Sequence, residues 1–66
     1  MRLHYDEKVD ALYLRLDDST IVESEEVKPG IVLDLNAARE VVGIEVLDLK
    51  RRVPTVDLTQ LKVEVA

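Results

Sequence analysis

The chain has 66 residues, lacks Cys, Phe and Trp, and carries 14 acidic against nine basic residues, for a net charge of −5. A chain of this length forms a single domain, residues 1–66, with a thin core, and without Cys it has no disulfide or thiolate metal site to reinforce that core. The acidic balance argues against nucleic acids and anionic membranes as ligands, and no apolar run approaches the about 18 residues of a membrane-spanning helix.

Five short runs rich in Val, Ile, Leu and Tyr follow one another along the chain, separated by clusters of Asp, Ser, Lys, Pro and Gly. The runs are MRLHY, ALYLRL, IVESEEV, GIVLDLN and EVVGIEVL. This alternation is typical of strands and turns. Because the spacers are too short for crossover helices, we predict an antiparallel meander of four to five strands in residues 1–48.

The first two runs predict a hairpin in which Leu3 faces Leu14 and Tyr5 faces Leu12, while His4 lies on the opposite face. Segment 20–27 has no good apolar face and contains three Glu. We predict that it is an edge strand, where charged side chains hinder pairing with other chains.

The last two runs predict a second hairpin with its turn at residues 38–39. In this register every pair on one face is apolar, and a slip of one residue would destroy the match. The apolar pairs are Ile31–Val46, Leu33–Ile44 and Leu35–Val42. On the other face the register sets Asp34 opposite Gly43 and Glu45 opposite Val32.

The pattern changes after Asp48. The run DLKRRVP from Asp48 predicts a single helical turn that is capped by Asp48 and ends before Pro54. The segment TVDLTQLKVEVA has apolar residues at both helical and strand spacing, which short runs do not resolve. We predict a short helix at about 57–62 that lies across the sheet, with a strand as the alternative. The fold class is therefore α+β, a small antiparallel meander with one short C-terminal helix.

Several motifs together resemble a known family. They are Tyr5-Asp6, the run DALYL from Asp10, the run GIVLDL from Gly30 and above all GIEVL from Gly43. These motifs, over residues 5 to about 49, are similar to those of short prokaryotic proteins grouped as Domain of Unknown Function family 2283. Many members have an Asp-Gly turn where this chain has NAAR from Asn36. The resemblance implies a small sheet-based fold and no established activity, so it transfers no functional residue.

Three carboxylates are the candidates for a metal site. Asp34 and Glu45 lie diagonally across the predicted hairpin, with Cβ atoms about 7 Å apart, and Asp48 follows closely in sequence. Carboxylate oxygens bind hard cations. However, acids at every second position are also what a solvated sheet face requires, and the chain has no calcium-binding loop. We expect no cofactor.

His4 is the candidate general base near neutral pH. A catalytic role needs a nucleophile or an orienting acid within hydrogen-bond reach, and the chain has no second His, no Cys and no Gly-x-Ser-x-Gly motif. The sequence therefore does not establish an enzyme, and a protein without catalysis is favoured.

The face opposite Tyr5 has an apolar patch of its own, which predicts contact with another subunit. We expect the C-terminal segment to cover one face of the sheet and a second copy to cover the other, with the acids at the rim. The interface candidates are Tyr13, Val32, Val41, Leu47 and Arg51.

Small domains without disulfides or metals commonly self-associate, so the most direct interpretation is a homo-oligomeric interaction module, a dimer in the simplest case. Its acidic residues 1–48 also suit a basic protein partner. Because the N-terminus has no apolar signal-peptide core, we expect a cytoplasmic protein. The alternative is a carboxylate-based metal-binding or minimal enzymatic site, on the sheet face or at a subunit seam.

Overall fold

The computed structural model of the chain describes all 66 residues. It contains one five-stranded antiparallel sheet and one short helix, which confirms the predicted α+β class. The elements are β1 (Arg2–Asp6), β2 (Ala11–Arg15), β3 (Glu23–Lys28), β4 (Ile31–Leu35), β5 (Val41–Val46) and α1 (Leu49–Arg52). No helix is long and apolar enough to cross a membrane.

The strand order is β1-β2-β5-β4-β3, so the predicted meander is wrong in its order. The β1–β2 hairpin and the β3–β4–β5 unit lie side by side through an antiparallel β2–β5 pairing. Every side chain of β3 is exposed, and three of them are Glu. This strand is therefore suited to the edge, as predicted, whereas the more apolar β5 pairs on both sides.

The predicted registers of both hairpins are confirmed except at one position. Leu3 pairs with Leu14 in the first hairpin, and Leu33 pairs with Ile44 in the second. However, Leu35 pairs with Val41 instead of Val42, because a β-bulge shifts the register after Asp34. Val42 is the extra residue and is only 2% exposed.

Cross-strand partners project to the same side of a sheet, so the register defines two faces. The apolar face comprises Leu3, Tyr5, Leu12, Leu14, Ile31, Leu33, Ile44 and Val46. The polar face comprises His4, Tyr13, Arg15, Ser24, Val32, Asp34, Gly43 and Glu45. The core is as thin as predicted, since Leu35, Val42 and Leu49 are the only buried hydrophobic residues.

Helix α1 is attached to the sheet through Asp10. The carboxylate of Asp10 accepts hydrogen bonds from the Tyr5 hydroxyl (2.6 Å) and from the backbone N–H of Lys50 (3.1 Å). The Nζ atom of Lys50 lies 5.7 Å from the centre of the Tyr5 ring, so α1 lies on the apolar-face side. Asp48 stands at the N-cap position, but its side chain makes no capping hydrogen bond. Asp10 caps the helix in its place.

Residues 53–66 form neither a helix nor a strand, so the helix predicted at 57–62 is wrong. A helix this short is marginal unless tertiary packing supports it, and Leu61, for example, is 68% exposed. Asp57 instead accepts hydrogen bonds from both the N–H and the hydroxyl of Thr59, which closes a local turn.

Candidate functional site

Gly43 makes room for a compact group of side chains on the polar face. It lies in the central strand β5, opposite Asp34 on β4 and Arg15 on β2. A Cβ atom at this position would lie 2.8 Å from Oη of Tyr13 and 3.0 Å from Oδ2 of Asp34. The absence of a side chain therefore lets Tyr13 and Asp34 approach each other above the backbone.

Asp34 and Glu45 form a pair of carboxyl groups at this place. Asp34 is only 3% exposed and accepts a hydrogen bond of 2.6 Å from the Ser24 hydroxyl. Burial, hydrogen bonding to Asp34 and the charge of Asp34 raise the pKa of Glu45. The two groups are thus arranged to share a proton.

The three predicted metal ligands are not all brought together. The sheet register places Asp34 and Glu45 diagonally, as predicted, but Asp48 lies at the start of α1 and pairs with Arg51 at 2.8 Å. No group of three or more His, Cys, Asp or Glu side chains could hold a metal ion. Metal binding stays a prediction, now restricted to two carboxylates.

Arg15 connects the polar face to the segment that joins β2 to β3. Its guanidinium donates hydrogen bonds to Oη of Tyr13 (3.2 Å), to the carbonyl oxygen of Asp17 (2.6 Å) and to that of Ser19. The hydrogen bond to Tyr13 is the main cause of the raised pKa of Arg15. This side chain holds the long connection against the sheet next to the carboxyl pair.

His4 borders a shallow hollow of about 530 Å³ on the same face. The hollow is lined by Arg2, Leu3, His4, Tyr13 and Arg15. Its lining contains two guanidinium groups and no carboxylate, whereas a second hollow that His4 borders includes Asp6 and Glu7. A catalytic role of His4 stays a prediction. His4 is opposite Tyr13 in the register, as predicted.

The predicted interface residues do not form one patch. Tyr13 and Val32 flank Glu45 on the polar face, each directly opposite it. Val41 is 39% exposed at the bulge, Leu47 follows β5 and donates its N–H to the Gly30 carbonyl, and Arg51 pairs with Asp48. Their role in an interface stays a prediction.

The apolar face is less covered than expected. Leu3 is 43% exposed, and the rest of the apolar face is partly exposed, apart from Leu35, which is buried at the end of β4. The C-terminal segment reaches this face at a small apolar hollow of about 290 Å³, which is lined by Met1, Leu3, Leu14, Leu61 and Val63. It shields only a corner of the face.

Residues 2–50 of the chain match the family model of a protein of unknown function (DUF2283). The chain belongs to this family. The predicted resemblance is therefore confirmed, and the match includes all five strands. No curated protein and no solved structure matches the chain.

The sequence indicated Asp34, Glu45 and Tyr13 as candidate site residues. It did not indicate Gly43, which makes room for them, or Ser24, which donates a hydrogen bond to Asp34. Gly43 carried a signal, because an isolated Gly within a strand often marks a close approach of other groups. Ser24 carried none, since its contact with Asp34 depends on β3 pairing with β4 in the observed register.

Proposed function

We propose that this member of the family is an interaction module without catalysis, and that its apolar face packs against a second copy of the chain. The supporting observation is the accessible surface of the single chain, 5248 Å² for a mass of 7.5 kDa. Compact monomers of this mass expose about 4,200 Å². The excess of about 1,000 Å², to which the largely exposed residues 53–66 contribute, is close to the roughly 800 Å² that each partner buries in a standard interface.

The chemistry of the two faces favours this choice of surface. The apolar face carries aliphatic side chains and Tyr5, whose hydroxyl is already bonded to Asp10, and its carboxylates, Glu23 and Glu25, lie at the margin of the face on the edge strand β3. The polar face contains the carboxyl pair and two guanidinium groups, and burying charges is costly. A basic protein partner stays a prediction that rests on charge, and the exposed Glu side chains of β3 are the part of the structure that would meet it.

Light scattering coupled to size exclusion tests the proposal with two neighbouring residues of β4. Leu33 lies on the apolar face and Val32 on the polar face, and both are half-buried. We expect the unmodified chain to be a dimer, Leu33→Lys to be a folded monomer, and Val32→Lys to remain a dimer. A lysine at position 33 keeps the single chain folded because its aliphatic stem covers the sheet while the ammonium reaches water.

Two results would overturn the proposal. An unmodified chain that is monomeric at high concentration would show that the apolar face has no partner of its own kind. Dissociation by Val32→Lys but not by Leu33→Lys would assign the interface to the polar face, where Tyr13 and Val32 were predicted to contact another subunit. Circular dichroism of each variant establishes that it is folded.

A further inference from the structure

Residues 61–65 have the sequence of a strand but pair with nothing in the single chain. Leu61, Val63 and Val65 alternate with Lys62 and Glu64, the period of a strand with one apolar side. The three apolar side chains are 68%, 75% and 91% exposed. No backbone–backbone hydrogen bond involves residues 57–66. The pattern therefore requires a partner strand.

The sheet offers two open edges, β1 and β3. Beside β3, the apolar side chains of the segment would meet Glu23 or Glu25, which share a face with Leu35 and Leu33, and Glu64 would approach further acids. Beside β1, the same side chains would continue an apolar row formed by Met1, Leu3 and Tyr5. Only β1 matches both the apolar side and the charge of the segment.

An antiparallel register with β1 satisfies both faces at once. When Val63 lies opposite Leu3, apolar residues face apolar residues and Arg2 faces Glu64. Opposite charges that face each other across strands are stabilising. The resulting pairs are Met1–Val65, Arg2–Glu64, Leu3–Val63, His4–Lys62 and Tyr5–Leu61. A parallel arrangement with Leu61 opposite Leu3 would set Asp6 against Glu64, two like charges.

We propose that residues 61–65 form a sixth strand on the β1 edge of a second copy, so that the two chains exchange their C-terminal segments. This inference rests on the proposed dimer. In the single chain the segment lies over the sheet, because Leu61 and Val63 line a hollow with Leu14 of the inner strand β2. It thus occupies the side that the second copy covers, and the exchange moves it from that face to the partner's edge.

Amide hydrogen exchange of the unmodified chain, measured at protein concentrations above and below the dimerisation midpoint, tests whether the two chains swap their C-terminal segments. We expect the amides of Leu61, Val63 and Val65, which face β1 in this register, to be protected only at the higher concentration, together with the outward-facing amides of β1. Equal protection at both concentrations would mean pairing within one chain and would overturn the inference. Unprotected amides in a chain that light scattering shows to be dimeric would also overturn it, while leaving the proposed dimer intact.

Cross-linking tests the register. The chain has no Cys, so Arg2→Cys in one sample and Glu64→Cys in another provide the only thiols. On mixing and oxidation we expect a disulfide that joins position 2 of one chain to position 64 of the other, identified by peptide mass, because facing Cα atoms lie about 4.5–5.5 Å apart, within the range that a disulfide spans. Arg2→Cys mixed with Lys62→Cys is the control, since these positions lie diagonally, and we expect a yield several-fold lower. Equal yields would refute the register.

Proline provides a matched pair of variants. Val63→Pro removes a strand N–H, whereas Gln60→Pro lies outside the proposed strand. In the single chain neither residue donates a backbone–backbone hydrogen bond. We expect Val63→Pro to weaken dimerisation about tenfold or more, as for a lost backbone hydrogen bond, and Gln60→Pro to leave it unchanged. A dimer equally stable with Val63→Pro would overturn the exchange.

Discussion

Gly43→Ala should destabilise the protein through a clash with Tyr13. The added Cβ would lie 2.8 Å from Tyr13 Oη, 3.0 Å from Tyr13 Cε1 and 3.0 Å from Asp34 Oδ2. Distances this short force the tyrosine ring to move away from the sheet, and overpacking of this kind costs about 1–3 kcal/mol. Replacing a strand glycine by alanine recovers about 0.5–1 kcal/mol of backbone entropy. The net loss is therefore about 1 kcal/mol, the middle of a range of about 0–2.5 kcal/mol.

A double-mutant cycle with Tyr13→Ala identifies the cause. Without the ring two of the three close contacts disappear, and Gly43→Ala should become neutral or stabilising by up to about 1 kcal/mol. The coupling between the two positions is then about 1–3 kcal/mol, well above the deviation expected for independent sites. Urea unfolding at one fixed protein concentration, followed by circular dichroism, measures all four chains. Equal costs of Gly43→Ala with and without Tyr13 would refute this account of the site.

Two further changes test the turn and the carboxyl pair. Asn36 is 8% exposed, and its Oδ1 accepts hydrogen bonds from the N–H groups of Ala38 and Glu40, each at 3.0 Å. Asn36→Ala should lower the free energy of unfolding by about 1–3 kcal/mol. Because Nδ2 of Asn36 donates to Glu40 at 2.9 Å, Asn36→Asp combined with Glu40→Gln, which keeps the acceptor without opposing two carboxylates, should lower it less in the same urea titration. Because the pKa of Glu45 is higher in the folded chain than in the unfolded chain, the free energy of unfolding falls as the pH rises from the unfolded pKa through the folded pKa. Glu45→Gln should therefore raise the melting temperature at pH 7 and leave it nearly unchanged below about pH 4, and an equal effect at both values would contradict the shared proton.

The hairpins were predictable because apolar pairing decided them. In the last hairpin only one register gave an all-apolar face, and the structure has Leu33 opposite Ile44 as that register requires. Val42 does not pair with Leu35 as that register requires, because the turn introduces a β-bulge. Arg39 adopts a left-handed backbone with φ of 65°, a conformation that does not follow from the apolar pattern.

The strand order was not predictable from neighbouring segments. The β2–β5 pairing joins residues about thirty positions apart, such as Leu14 and Ile44, and no local turn specifies it. The carboxyl pair was partly predictable, since Asp34 and Glu45 lie in a single hairpin. Its completion by Ser24 was not, because this residue comes from a strand that pairs with β4.

The two faces of the sheet differ in how well a single chain covers them and satisfies their hydrogen bonds. On the polar face the carboxyl of Asp34 is almost fully buried and has its hydrogen-bond partner within the same chain, so this face needs no further cover. On the apolar face the aliphatic groups stay partly exposed, and the segment that should cover them makes no backbone–backbone hydrogen bond. In the proposed dimer a second copy would satisfy both needs of the apolar face, because its sheet would cover the side chains and its β1 edge would supply the hydrogen bonds. The location of Gly43 and its neighbours on the opposite side leaves the carboxyl pair accessible to solvent at its Glu45 end in such a dimer.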